Sequence, residues 1–123
     1  MALRCLIVDD STRFLDAARA LLEREGIEVV GIASTAGEAV QRAAALRPDV
    51  TLVDIDLGGE SGFNLTRRLA HAGGGSRVIL VSTHSQEDFA ELIATSPALG
   101  FLPKSSLSAR AILAILNGSG PCP

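Results

Sequence analysis

The chain has 123 residues, 47% of them hydrophobic and 20% charged, and carries a net charge of −3. This length suits one domain with a real core; the charge offers no basic stripe for a phosphate backbone, and four Phe without Trp or Tyr make no base-stacking surface. No apolar run approaches the ~20 residues of a membrane span, and the start lacks the basic and apolar segments of a secretion signal, so the expected location is the cytoplasm.

The pattern alternates between short apolar runs and helical spacing. Residues 3–8 read as a first strand containing Leu6-Ile7-Val8, followed by Phe14, Leu15, Ala18, Leu21 and Leu22 at helical intervals, ended by Gly26. Residues 27–33 form the second strand. An Ala-rich helix over 35–46 places Ala36, Ala39, Val40 and Ala43 on one face, and Pro48 blocks its continuation. The third strand spans 50–54, a Gly-rich loop 57–61, and a third helix 62–72 stops at Gly73-Gly74-Gly75. Residues 77–82 are the fourth strand. Ser85 with Asp88 has the form of a capping box for a helix running to Ala94. Residues 100–103 carry Pro103 and suit an edge strand. The last helix, 108–117, shows Ala111, Ile112, Ile115 and Leu116 before Gly118. Residues 1–118 thus make one domain, and 119–123 a tail or truncated linker.

Five βα units with strands buried on both faces predict an α/β fold: a doubly wound, five-stranded parallel sheet with helices on both sides. The natural order is 2-1-3-4-5, the flavodoxin-like arrangement, with its switch point between the first and third strands. Cys5 lies in the first apolar run and Cys122 in the tail; two free thiols are expected, and no Cys/His cluster suggests zinc.

Polar residues close these runs: Asp9-Asp10 after the first, Asp54 at the third, Ser82 at the fourth and Lys104 after the fifth. Parallel strands bring their C-termini to one edge, so these groups should share one cleft. Crowded carboxylates cannot all ionise without compensation. A divalent cation together with Lys104 restores neutrality, and Mg2+ suits the hard oxygen donors best. The lysine supplies a point charge for a phosphoryl oxygen and Ser82 a hydroxyl donor. Each residue alone has a plainer role: Asp10 or Ser11 can cap the first helix, Asp54 can be a turn residue and Lys104 a solvated charge. Their joint arrival on one edge is what points to metal-assisted phosphoryl chemistry on an aspartate.

Asp9-Asp10, Asp54 in VDIDLGGESGF, Ser82 in LVSTH, and Phe101 and Lys104 in GFLPKSSLS resemble, in identity and interval, a receiver domain of a two-component response regulator. The resemblance covers about residues 3–117, and GFLPKSSLSARAIL is similar to receivers that precede LuxR/NarL-type DNA-binding domains. It implies that Asp54 accepts a phosphoryl group from a sensor histidine kinase or phosphotransfer protein. Asp9, Asp10, Asp54 and the backbone carbonyl of Asp56 would hold Mg2+, and Ser82 and Lys104 would bind the transferred group. Ser82 would move toward the phosphoryl oxygens, and Phe101 would turn inward behind it, altering the fourth helix, fifth strand and fifth helix. Such a protein is a self-resetting switch rather than a turnover enzyme. It would work through protein contacts, with a homodimer among them, and without direct nucleic-acid or membrane binding. A longer parent would carry a DNA-binding domain.

The chain departs from the family's habits at several points. Gly58 stands where proline is common, Ser105 rather than proline follows Lys104, Phe101 replaces a frequent tyrosine, and Thr83 replaces a smaller residue. Asp56 and His84 lie near the cleft mouth, where they could tune dephosphorylation or simply be solvated; His71 suits a helix C-terminus. Three other readings compete. Asp54-Ile55-Asp56 has the DxD form of haloacid-dehalogenase-type phosphatases, which carry it on the first strand instead. A flavodoxin-like FMN site would find Asp9-Asp10 repulsive. A degenerate receiver would act as a phosphorylation-independent interaction module.

Overall fold

The computed structural model describes residues 2–71, 77–83 and 89–118. The Gly73-Gly74-Gly75 stop, the Ser85/Asp88 cap, His84, Cys122 and the tail lie outside the described residues. The elements are β1 (Arg4–Val8), α1 (Thr12–Arg24), β2 (Glu28–Ala33), α2 (Ala36–Leu46), β3 (Val50–Asp54), α3 (Gly62–His71), β4 (Arg77–Ser82), α4 (Ala90–Thr95), β5 (Gly100–Pro103) and α5 (Ala109–Leu116). The strands pair in the order β2-β1-β3-β4-β5, all parallel, so the expected architecture holds and Pro103 does sit on an edge strand.

Period-two alternation divides the core into two. Cys5 and Ile7 of β1, Leu52 of β3, and Ile79 and Val81 of β4 face Leu15, Leu22 and Ile112 of α1 and α5. Leu6, Val8, Val53, Val78 and Leu80 point the other way, toward Ala36, Ala39, Leu65 and Leu69 of α2 and α3. The interiors of β1, β3 and β4 are buried on both sides, which is why these runs contain almost no polar residue, while the edge strand β2 is only partly covered.

Local chemistry fixes the helix ends. Gly26, at φ 93°, closes α1: its N–H donates to Glu23 O, and Ile27 N–H reaches Leu22 O at 2.9 Å, a Schellman closure. Ser108 Oγ accepts from Ala111 N–H at 3.0 Å, so it caps α5 rather than belonging to it. Two segments differ from expectation. The fourth helix begins at Ala90, with residues 84–88 outside the described residues. Lys104–Ser106 winds into a 3-10 turn that apolar periodicity could not show.

Candidate functional site

The C-terminal edge of the sheet gathers the predicted residues. Asp9 continues the β1 ladder, its N–H donating to Ala33 O at 3.0 Å, and its Oδ1 accepts from Ser11 N–H at 2.8 Å. Asp9 is fully buried. Ser11 caps α1 by accepting from Phe14 N–H at 3.3 Å, which settles the choice between it and Asp10. The Asp10 carboxylate is free of capping and lies at the mouth of the cleft. One oxygen from each of Asp9, Asp10 and Asp54 falls within 4.8 Å of the others.

Asp54 ends β3, 6% exposed. Its Oδ1 accepts from Asp56 N–H at 3.1 Å, and its Oδ2 lies 3.2 Å from Lys104 Nζ. The same ammonium is 2.6 Å from Asp9 Oδ2. That contact lacks hydrogen-bond alignment, so among the described residues this fully buried oxygen has an ionic partner but no hydrogen-bond donor. Lys104 Nζ also stands 4.3 Å from the centroid of Phe14. Phe14 therefore does more than the core packing its helical spacing implied, since a cation over a ring face is attracted by the ring quadrupole. Its place in the first turn of α1, next to the strand edge, was the signal available.

Burial, the largest influence, pushes the Asp54 carboxyl up to about 6; the Asp56 N–H opposes the rise, Asp9 adds to it and Lys104 eases it. Burial would lower the Lys104 ammonium, but pairing with Asp9 and Asp54 more than reverses this, and the net direction is upward. The cleft thus holds a firmly charged lysine beside a carboxylate that is short of compensation.

Ser82 ends β4, buried, and pairs in register with Pro103. Phe101 pairs with Leu80 and is itself 8% exposed, in the cluster that holds Phe63, Leu65 and Leu80. Ser82 and Phe101 share a sheet face by alternation, and Phe101 is packed inward. Asp56 is exposed and its Oδ1 accepts from Gly58 N–H at 3.2 Å, an Asx-type turn rather than an acid aimed at Asp54. Gly62 starts α3 directly beneath Asp54: its N–H donates to Ile55 O at 2.8 Å, and a Cβ there would overlap the Asp54 carbonyl oxygen. Thr83 is exposed and, with Ser11, Arg13, Phe14, Lys104 and Leu107, lines a cleft of about 620 Å³ that opens beside the lysine. His71 ends α3, exposed and distant in the fold from this edge.

Three carboxylates at the switch point, a lysine reaching them from the end of β5 and a buried hydroxyl closing β4 define an acidic-cleft α/β domain of the kind used in phosphoryl signalling. The chain belongs to the response regulator receiver domain family, which it matches over residues 5–117. It is 30% identical to the response regulator GacA of Pseudomonas viridiflava, over 92% of this chain and 53% of that protein. It therefore spans about half the length of such regulators. Among solved structures it is similar to a LuxR-family two-component response regulator from Aurantimonas sp. SI85-9A1 (TM-score 0.85, 34% identity, 96% of this chain and 87% of that one). It is also similar to a Burkholderia pseudomallei response regulator solved with a phosphorylated aspartic acid and a calcium ion (TM-score 0.79, 27% identity, 93% and 66%). Receiver domains of this family interact with histidine kinases or phosphotransfer proteins and bind Mg2+ at an acidic pocket. Among the described residues no helix is long and apolar enough to cross a membrane.

Proposed function

We propose that residues 1–118 form a phosphorylation switch in which Asp54 receives a phosphoryl group from a phosphohistidine on a sensor kinase or phosphotransfer protein. The observation that supports this best is the position of Asp54: buried at a strand end, 3.2 Å from a lysine and grouped with two other carboxylates. An Asp54 carboxylate oxygen attacks phosphorus in line, the P–N bond breaks, and its electron pair returns to the imidazole nitrogen. Water later attacks the phosphorus of the acyl phosphate, the bond from phosphorus to the Asp54 oxygen breaks, and inorganic phosphate leaves as the carboxylate is restored. Little covalent work falls to the protein, so its contribution is positioning and charge stabilisation.

The donor set fits a hard divalent cation: one oxygen from each of Asp9, Asp10 and Asp54 lies within 4.8 Å of the others, and among the described residues Asp9 Oδ2 has the Lys104 ammonium as an ionic partner but no hydrogen-bond donor. Those side chains, with the Asp56 carbonyl, would hold Mg2+, whose bound charge neutralises developing charge on the phosphoryl oxygens. Lys104 grips a phosphoryl oxygen, and Phe14 together with the two aspartates holds its ammonium at the cleft. Ser82 donates to another.

The output runs through protein contact. Leu92 of α4, Leu99 before β5 and Leu113 of α5 are each between 43% and 49% exposed, on the elements that neighbour Phe101 and Ser82. A shift of Ser82 toward the phosphoryl group would reach this face through Phe101 and would regulate transcription, in the cytoplasm, without turnover. Phosphorylation adds charge and acceptor oxygens that bias such a two-state element. Incubation with acetyl phosphate and Mg2+ followed by intact-mass measurement tests the proposal. One phosphoryl adduct, absent from D54N, supports it. An unreactive wild type favours a phosphorylation-independent module, and turnover of a sugar phosphate favours a phosphatase.

A further inference from the structure

Glu60, at the end of the loop that follows Asp54, makes a bond that reaches across the fold. Its Oε1 accepts from Ala36 N–H at 3.0 Å. Ala36 opens α2, and its N–H is one of the first-turn donors that no helical carbonyl can satisfy. Two nearby donors have local partners: Thr35 Oγ1 takes Glu38 N–H at 3.1 Å, and Glu38 Oε1 takes the Ser34 N–H at 2.9 Å. A carboxylate at this positive helix end is well placed electrostatically.

Leu57 anchors one side of the loop by its burial in the core cluster that also holds Ala36, while the glycines beyond it carry no side chain to pack. Gly58 and Gly59 both have positive φ, 61° and 102°. A proline, locked near −65°, cannot take the Gly58 conformation, so this turn is not stiffened by a ring. Within the loop, Gly58 N–H bonds Asp56 Oδ1 and Leu57 N–H bonds Glu60 O at 3.0 Å. Of these three contacts, only the one from Glu60 to Ala36 ties the turn to another element. The turn in question bears on the acidic site directly: a Cβ on Gly58 would lie 2.7 Å from Asp10 Oδ2, so the Asp10 carboxylate rests against the Gly58 backbone. Asp56, whose N–H holds Asp54, is at the other end of the same turn.

We propose that Glu60 is a positioning residue for the acidic site. By pinning the Gly58-Gly59 turn to the start of α2, it holds the backbone on which Asp10 rests and that follows Asp56, and so sets Mg2+ affinity and the rate of Asp54 phosphorylation. This rests on the reading of Asp54 as a metal-assisted phosphoacceptor.

The test compares E60A and E60Q with wild type. Mg2+ affinity is read from amide shifts by NMR, Ala36 protection from hydrogen exchange, and stability from metal-free melting. E60A should bind Mg2+ about tenfold more weakly, the lower end of what losing an outer support of a metal ligand typically costs. Its Ala36 amide should exchange faster, while its metal-free melting temperature falls by only about 4 °C, the cost of one lost helix-end bond of about 1 kcal/mol. E60Q keeps an acceptor oxygen and should recover most of the affinity. Unchanged Mg2+ affinity in E60A, beside a wild type that binds Mg2+ and is phosphorylated, overturns the proposal. So does an E60Q as weak as E60A, which would reveal a bulk charge effect. A wild type that neither binds Mg2+ nor forms the acyl phosphate removes the phosphoacceptor reading, and this proposal with it.

Discussion

Replacing Asp54 with Asn removes a charge that folding disfavours, and the stability consequence has a defined sign. Burial chiefly raises the Asp54 carboxyl from 3.8 to about 6, with Asp9 contributing and the Asp56 N–H and Lys104 opposing. A folded pKa above the unfolded one means that folding favours the protonated acid. The stability tied to it is complete below about 4 and is lost as pH rises through about 6. The interval between 3.8 and about 6 corresponds to about 3 kcal/mol lost at neutral pH. An Asn amide facing Lys104 would return roughly 1 kcal/mol of this through an unpaired donor. The net gain for D54N is then about 2 kcal/mol, or about 8 °C in melting temperature for a domain of this size. Melting by circular dichroism in EDTA is the appropriate assay, because the chain has neither Trp nor Tyr to report by fluorescence. D54N should melt higher than wild type at neutral pH, and the difference should close as pH falls from about 6 to about 4. A D54N that melts at or below wild type at neutral pH, or a difference that persists undiminished at acid pH, refutes the reasoning.

Three further outcomes are expected. Lys104→Met leaves Asp9 and Asp54 without their shared counter-charge and should cost about 3 kcal/mol at neutral pH by urea denaturation, with added Mg2+ restoring part of it. Gly62→Ala drives a methyl into the Asp54 carbonyl and should destabilise by about 3 kcal/mol or prevent folding, whereas the exposed Gly37→Ala, with open space around it, should be neutral or stabilising. Burial pushes the Cys5 thiol up to about 12, so in a C122S background thiol reagents should label the folded protein only as fast as it opens; rapid labelling under native conditions would contradict the packed β1.

Much of this protein is legible residue by residue in its chain. Leu6-Ile7-Val8 and Val78-Ile79-Leu80-Val81 are strands because nothing polar interrupts them, and a strand buried on both faces allows nothing polar. Asp9, Asp10, Asp54, Ser82 and Lys104 were identifiable because each stands where such a run ends, and parallel pairing carries all run ends to one edge. Local patterns also place Gly26 at the end of α1, since capping acts over a few residues.

Only the tertiary structure decided the rest. Ser11, not Asp10, caps α1, and this leaves the Asp10 carboxylate for the cleft; both residue types suit a cap, and packing chose between them. Phe14 carries the ring under Lys104, ninety positions away in sequence, and Phe101 packs into the core. Glu60 reads as a solvated loop acid until α2 and the β3–α3 loop are brought together and its carboxylate meets Ala36. Apolar periodicity and turn chemistry act between near neighbours, so they determine elements and the edge to which strand ends go. Which side chain then meets which partner depends on distances between elements, and those exist only once the sheet has formed.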